Sequence, residues 1–304
     1  QLPKPIKVET MVGVFCEKQW RAIETVGLYI PGGTAPLVST LIMLATPAKV
    51  AGVRRRVVVT PPSKDGSINP VILACAYRCD VTDVFAVGGA QAIAALAYGT
   101  ETIPRCDKIF GPGNAYVAAA KSLVAQEPGG PAIDMPAGPS EAMVICDETA
   151  DPAFVASDLL SQAEHDRVAQ VICVSSSAAL SAAVEVELDK QLQMLSRKDI
   201  AADAMSHARM IVTDNRADIL DVVNAYAPEH LIVQMDSPER LVPSIRNAGS
   251  IFLGPWTPES VGDYASGTNH TLPTNGAARA YSGITIESFL KFVSIQRLTK
   301  AGLK

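Results

Sequence analysis

The chain has 304 residues, 48% of them hydrophobic and 19% charged, with a net charge of −5. That length suits two domains rather than one core, and the composition excludes a disordered chain. The acidic balance argues against a general nucleic-acid binder, which needs a basic stripe.

The N-terminal stretch QLPKPIKVET has no apolar core and so is no signal peptide. It lacks an initiator methionine, and the chain is expected to be a piece of something longer. The apolar run APLVSTLIMLATPA is broken by Ser39, Thr40, Thr46 and Pro47, short of the ~18 residues a membrane span requires. Arg54, Arg55 and Arg56 precede VVVT and read as a solvated strand entrance. The cysteines, at 16, 75, 79, 106, 146 and 173, form no CxxC pair. They read as reduced core thiols, the pattern of a cytoplasmic protein.

Short β-branched runs punctuate the chain: VGLYI, RRRVVVT, VTDVFAV, AMVICD, AQVICVS, RMIVTD, HLIVQM and SIFLG. Between many of them lie segments of helical spacing: PLVSTLIMLATPAKVAG, INPVILACAYR, AQAIAALAYG, NAYVAAAKSLVAQ, DPAFVASDLLSQAEH, ADILDVVNAYA and PERLVPSIRNA. The alternation predicts an α/β protein of two Rossmann-like, incomplete domains, with mainly parallel sheets flanked by helices. The first domain is expected over 27–138 and the second over 139–282 together with 1–26. The Pro/Gly-rich strip EPGGPAIDMPAGPSE divides them, and 283–304 is expected to begin a truncated C-terminal tail. The stretch from Pro255 to Gly283 is long, polar and aperiodic, the character of a functional segment.

Three glycine turns, at Ile30–Ala35, Val87–Ala92 and Phe110–Ala115, each follow an apolar strand and open a helix. They suit either tight strand–helix connections or phosphate binding at helix N-termini. No GxGxxG fingerprint is present. Three polar constellations stand out. Gln162 and His165 share a helix face at i and i+3, which suits a metal or a simple helix end. Glu229 and His230 are adjacent in APEHL, as groups that move protons or as a loop acid beside a histidine. Asp263 and His270 lie in VGDYASGTNH, where Asp263 is a metal ligand or an Asx-turn residue. His207 reads as a helix-surface residue.

The strings VGLYIPGGTAPLVST, GGAQAIAALAYGTE, IFGPGNAYVAAAK, IDMPAGPSE, DLLSQAEH, YAPEHL and ESVGDYASGTNHTLP, in this order, resemble the histidinol dehydrogenase family over nearly the whole chain. The resemblance implies NAD-dependent oxidation of L-histidinol through the aldehyde to L-histidine, in two steps. It implies His230 as general base and Glu229 as the group that activates water. It implies zinc ligands at Gln162, His165 and Asp263, and substrate contacts at Ser140, Gln162, His165, His230 and Asp263. NAD contacts would fall on Tyr29, Gln91 and Asn114 of the first domain, and the expected assembly is a homodimer. The family's fourth zinc ligand, a histidine, and a substrate-binding glutamate lie in a C-terminal segment beyond RLTKAGLK and are not in this chain. After LPT comes NGAARAYSG, where many members carry aromatics. That departure leaves open a different small polar alcohol as substrate, or an impaired chain that only binds ligand.

Overall fold

The computed structural model describes residues 2–32, 38–81, 83–136 and 138–304. The chain divides into two compact units, 1–134 with 284–304, and 135–283. The first opens with an antiparallel hairpin, β1 (Ile6–Met11) and β2 (Val14–Ala22), turned at Gly13. There follow β3 (Thr25–Tyr29), α1 (Val38–Ala51), β4 (Arg55–Thr60), α2 (Pro70–Arg78) and β5 (Asp83–Ala86). Then come α3 (Gly89–Tyr98), β6 (Lys108–Phe110), α4 (Ala115–Gln126) and β7 (Ala132–Ile133). Strands β3 to β7 form one parallel sheet in the order β5-β4-β3-β6-β7. Val57 and Val59 pack with Ile93 and Leu96 of α3, so the apolar strand runs are covered as parallel strands must be.

The second unit repeats the plan. It contains β8 (Glu141–Cys146), α5 (Pro152–Ala163), β9 (Gln170–Ser175), α6 (Ala178–Leu192) and α7 (Lys198–Met205). It continues with β10 (Arg209–Val212), α8 (Arg216–Tyr226), β11 (His230–Gln234), β12 (Ser250–Leu253) and α9 (Val261–Tyr264). The parallel sheet has the order β10-β9-β8-β11-β12. Both sheets therefore grow outward from a central first strand and reverse beside it, the order of half a doubly wound nucleotide fold. All of β8 is buried. Its residues alternate faces: Ala142, Val144 and Cys146 join the α5–α6 core, while Met143 and Ile145 meet Ile219 and Val223 of α8.

Two expected boundaries are corrected. Residues 1–26 cluster with the first unit rather than the second, and 284–304 are part of that unit rather than a tail. The cause is β13 (Leu290–Leu298), which pairs antiparallel with β2 along its length, Leu290 opposite Ala22 and Leu298 opposite Val14. PERLVPSIRNA is not an α-helix but two 3-10 turns, Pro238–Arg240 and Val242–Ser244. Pro243 has no N–H to donate to Glu239 O, so an unbroken α-helix cannot run through it.

Arg54, Arg55 and Arg56 do sit at a strand entrance, with Arg55 paired to Asp83 and Arg54 to Glu24. All six cysteines are free thiols. No helix among the described residues is long and apolar enough to cross a membrane.

Within the first unit, Phe110 and Phe289 stack at 4.2 Å between ring centroids, both fully buried. Phe289→Ala is expected to cost about 3–5 kcal/mol of stability, read from the urea midpoint at constant m-value.

Candidate active site

In the second unit, the chemistry-bearing residues collect at the amino edge of the sheet, where β8 and β11 begin side by side. Helix α8 ends because Pro228 disfavours helical backbone at the residue before it. Ala227 instead takes a left-handed conformation, φ 58°, with its N–H on the Val223 carbonyl. The turn places Glu229 just before β11 and His230 at its first residue. Their backbone is then held from β12: Gly249 N–H donates to Pro228 O and Ser250 N–H to Glu229 O, each at 2.9 Å. Position 249 must be glycine, since a Cβ there would lie 2.6 Å from the Glu229 carbonyl oxygen.

His230 is 6% exposed, and its Nδ1 lies 2.9 Å from the Glu141 carbonyl oxygen. A carbonyl only accepts, so Nδ1 carries the proton and the Nε2 lone pair is free to act as a base. Nε2 is 3.8 Å from Glu259 Oε1. Glu259 is buried; its Oε2 accepts from Ser161 Oγ at 2.7 Å and its N–H donates to Asp158 Oδ1 at 3.1 Å. Asp158 also accepts from Gln234 Nε2 at 2.7 Å. Burial pushes its carboxyl up to about 6.

Glu229 is buried beside His230, and its Oε2 accepts the Glu141 N–H at 2.8 Å. Burial raises its carboxyl well above the usual range. The nearby acids Glu141, Glu259 and Asp263 add to that rise, while the Glu141 N–H opposes it. Burial likewise raises Glu141, against the N–H groups of Asn275 and Glu229. Burial lowers His270 first of all, and the neighbouring His165 and His230 act in the same direction. An acid-rich, poorly hydrated site of this kind favours a cationic guest.

Of the residues expected to hold a metal, Gln162 is 1% exposed near the end of α5, and its Oε1 is a buried acceptor with no hydrogen-bond partner. His270 Nε2 is a second buried polar atom without a partner. Orphaned buried lone-pair atoms of this kind fit a metal better than an apolar core. Asp263, on α9, lies with His230 and Glu259 so that one ligand atom from each falls within 4.8 Å of the others. His165, just beyond α5, is exposed and outside that trio, though within electrostatic reach of His270. Ser140 immediately precedes β8, half-buried, and its carbonyl accepts Gln170 N–H at 2.9 Å. His207, expected on a helix surface, lies exposed just past α7.

The first unit carries its polar residues at the opposite end of its strands, the carboxyl edge. Part of the Ile30–Ala35 turn, with 33–37, lies outside the described residues. Tyr29 closes β3, and its hydroxyl accepts Gly89 N–H at 3.1 Å. Gln91 is exposed in the first turn of α3, whose N-cap, Gly88, offers no side-chain cap. Asn114 caps α4, its Oδ1 accepting the N–H groups of Tyr116 and Val117 at 3.1 Å each. The uncapped start of α3 leaves backbone donors for an anion. The turn after β6 is rigid: Gly111 has φ 114°, and a Cβ there would meet Tyr29 O at 2.1 Å.

Sequence reading missed Glu141, Asp158 and Glu259. A signal existed for two of them. Glu141 is an acid opening the apolar strand EAMVIC, and Asp158 is an acid on the buried face of FVASDLLS. Nothing local marks Glu259, whose partners come from α5 and β11.

The whole chain, 1–304, matches the family model described as Histidinol dehydrogenase. It is 56% identical over 296 residues to histidinol dehydrogenase of Xanthomonas campestris pv. campestris (strain 8004), covering 97% of this chain and 68% of that protein. Against the Yersinia pestis histidinol dehydrogenase, identity is 53% over 298 residues, with 98% and 66% covered. The crystal structure of histidinol dehydrogenase from Elizabethkingia anophelis superposes with a TM-score of 0.97 at 49% identity, covering 100% of this chain and 70% of that one. The chain thus spans about two-thirds of the length of these relatives. Identity at this level, over all the elements that build the amino-edge site, places the chain in the histidinol dehydrogenase family.

Proposed function

We propose that this chain oxidises L-histidinol to L-histidine in two steps with NAD, using the amino-edge site of its second unit. The observation that carries this reading is the buried Glu229–His230 pair with Glu259 and Asp263 clustered about His230, together with the unpartnered, buried Gln162 Oε1. In the first step His230 Nε2 takes the hydroxyl proton of the alcohol, its Nδ1–H anchored on the Glu141 carbonyl. In the second, Glu229 as carboxylate accepts a proton from the water that attacks the aldehyde. Burial first, and then the neighbouring acids, raise the Glu229 carboxyl, and a cation held nearby would oppose that rise. An imidazole and a carboxylate thus divide two proton transfers between alcohol and water.

Gln162, His165 and Asp263 would hold zinc, which supplies a fixed cationic anchor that orients the substrate. Ser140 and the same ligand side chains border the substrate. Tyr29, Gln91 and Asn114, with the uncapped α3 terminus, would receive NAD, which supplies the hydride acceptor. The loop 275–279 is tied to the site by its own bonds, Asn275 N–H to Glu141 and Arg279 to the Ala225 carbonyl. The comparisons do not favour a different alcohol as substrate. The test is the yield of NADH per L-histidinol consumed, with excess NAD and added zinc. Two are expected. One would mean that the water-dependent step is not performed by Glu229 here, and none would overturn the reading.

A further inference from the structure

Glu141 makes four contacts that converge on the residues assigned to proton transfer. Its carbonyl oxygen meets His230 Nδ1 at 2.9 Å. Its N–H donates to Glu229 Oε2 at 2.8 Å, while its Oε2 accepts the Glu229 N–H at 3.3 Å. Its remaining carboxylate oxygen, Oε1, accepts Asn275 N–H at 2.7 Å. Asn275 has φ 55°, a left-handed backbone state that asparagine tolerates. The next bond along fixes the same loop, Gly138 N–H to Thr274 Oγ1 at 2.6 Å.

We infer that Glu141 is a positioning residue. Its side chain locks the Glu229 backbone and the 274–276 loop against the start of β8, and so sets where Glu229 and His230 meet the substrate. Its side chain is 2% exposed, and packing needs no acid at the head of a buried strand. Burying a carboxylate is costly unless donors surround it, and here both oxygens face backbone N–H groups of the reaction site. The inference rests on the proposed roles of Glu229 and His230.

The two side-chain acceptors make Glu141→Gln a sharp test. Its amide must turn an NH2 toward either the Glu229 or the Asn275 N–H, donor against donor. The expected result is amide exchange at residues 229 and 275 at least tenfold faster, with the β11 amides unchanged. A displacement of the order of 1 Å costs roughly 100-fold in rate, so kcat for histidinol should fall by a factor of that order. KM should stay within about threefold, because zinc and Ser140 contacts are untouched. Glu141→Asp, which keeps the charge but draws the carboxylate back, carries the same expectation if the glutamine variant does not fold. Unchanged exchange at both amides overturns the inference whether or not the chain turns over histidinol. Faster exchange with unchanged kcat overturns it too, leaving Glu141 as an anchor of the fold alone. A wild-type chain without histidinol turnover overturns the functional reading instead, and the exchange rates still decide whether Glu141 holds the two backbones.

Discussion

His230→Asn is expected to lower kcat by about 100- to 10,000-fold, the usual contribution of a positioned base, with the fold intact. The asparagine amide can still donate toward the Glu141 carbonyl, so the start of β11 keeps its anchor. What disappears is the Nε2 lone pair, the one basic atom that the tautomer aims away from the strand. The measurement is NADH formation from saturating L-histidinol, with far-UV circular dichroism and the unfolding midpoint as controls. A variant within about threefold of wild type would move the base to another residue. His270 is then the next candidate, since burial holds it in the neutral form and its Nε2 has no partner.

Lys121→Met is expected to destabilise the protein by about 3–5 kcal/mol, the cost of removing one partner of a buried ion pair. Lys121 of α4 and Asp134 form an ion pair with side chains only 3% and 2% exposed. Lys121 Nζ also donates to Gly111 O at 2.9 Å, and Asp134 Oδ2 accepts Gly111 N–H at 2.7 Å. The pair therefore grips both backbone groups of the glycine in the turn that Asn114 then caps. Urea unfolding would read the loss. Lys121→Met with Asp134→Leu should recover most of it, because an apolar pair of similar volume leaves no charge to bury. NAD affinity should fall in both variants if that turn receives the cofactor. An unchanged unfolding midpoint in the single variant would mean that Asp134 finds compensation elsewhere.

The two parallel sheets were legible because buried parallel strands read as unbroken β-branched runs. VVVT, AMVIC, QVICV and LIVQ announced themselves by composition alone. β6 and β7, three and two residues long, were too short to leave such a trace. The hairpin with β13 escaped for a different reason. Every residue of β1 is exposed, so no apolar face was written into it, and the partner of β2 lies at the far end of the chain. The site divides in the same way. Glu229 and His230 could be singled out because they are neighbours in the chain. Glu259 could not, since what gives it meaning is a bond between a loop and a helix 101 residues apart. Gln162 and His165 show the limit of spacing: both stand near the end of α5, yet one is buried and the other exposed. Periodicity predicts a shared face and says nothing of what covers it.

The pairing of β2 with β13 also orders events in time. The second unit is an insertion between two parts of the first, and all its strands are complete once β12 has been made. The first unit must wait for residues 290–298 before β2 gains its second neighbour. At bacterial or eukaryotic rates of synthesis that interval lasts tens of seconds. Throughout it, the β2 edge stands open with its backbone donors and acceptors unpaired, a template for any other strand. Nascent chains are therefore most exposed to mispairing at their N-terminal hairpin, and a chaperone that shields this segment until release would raise the yield of folded protein more than one acting on the inserted unit.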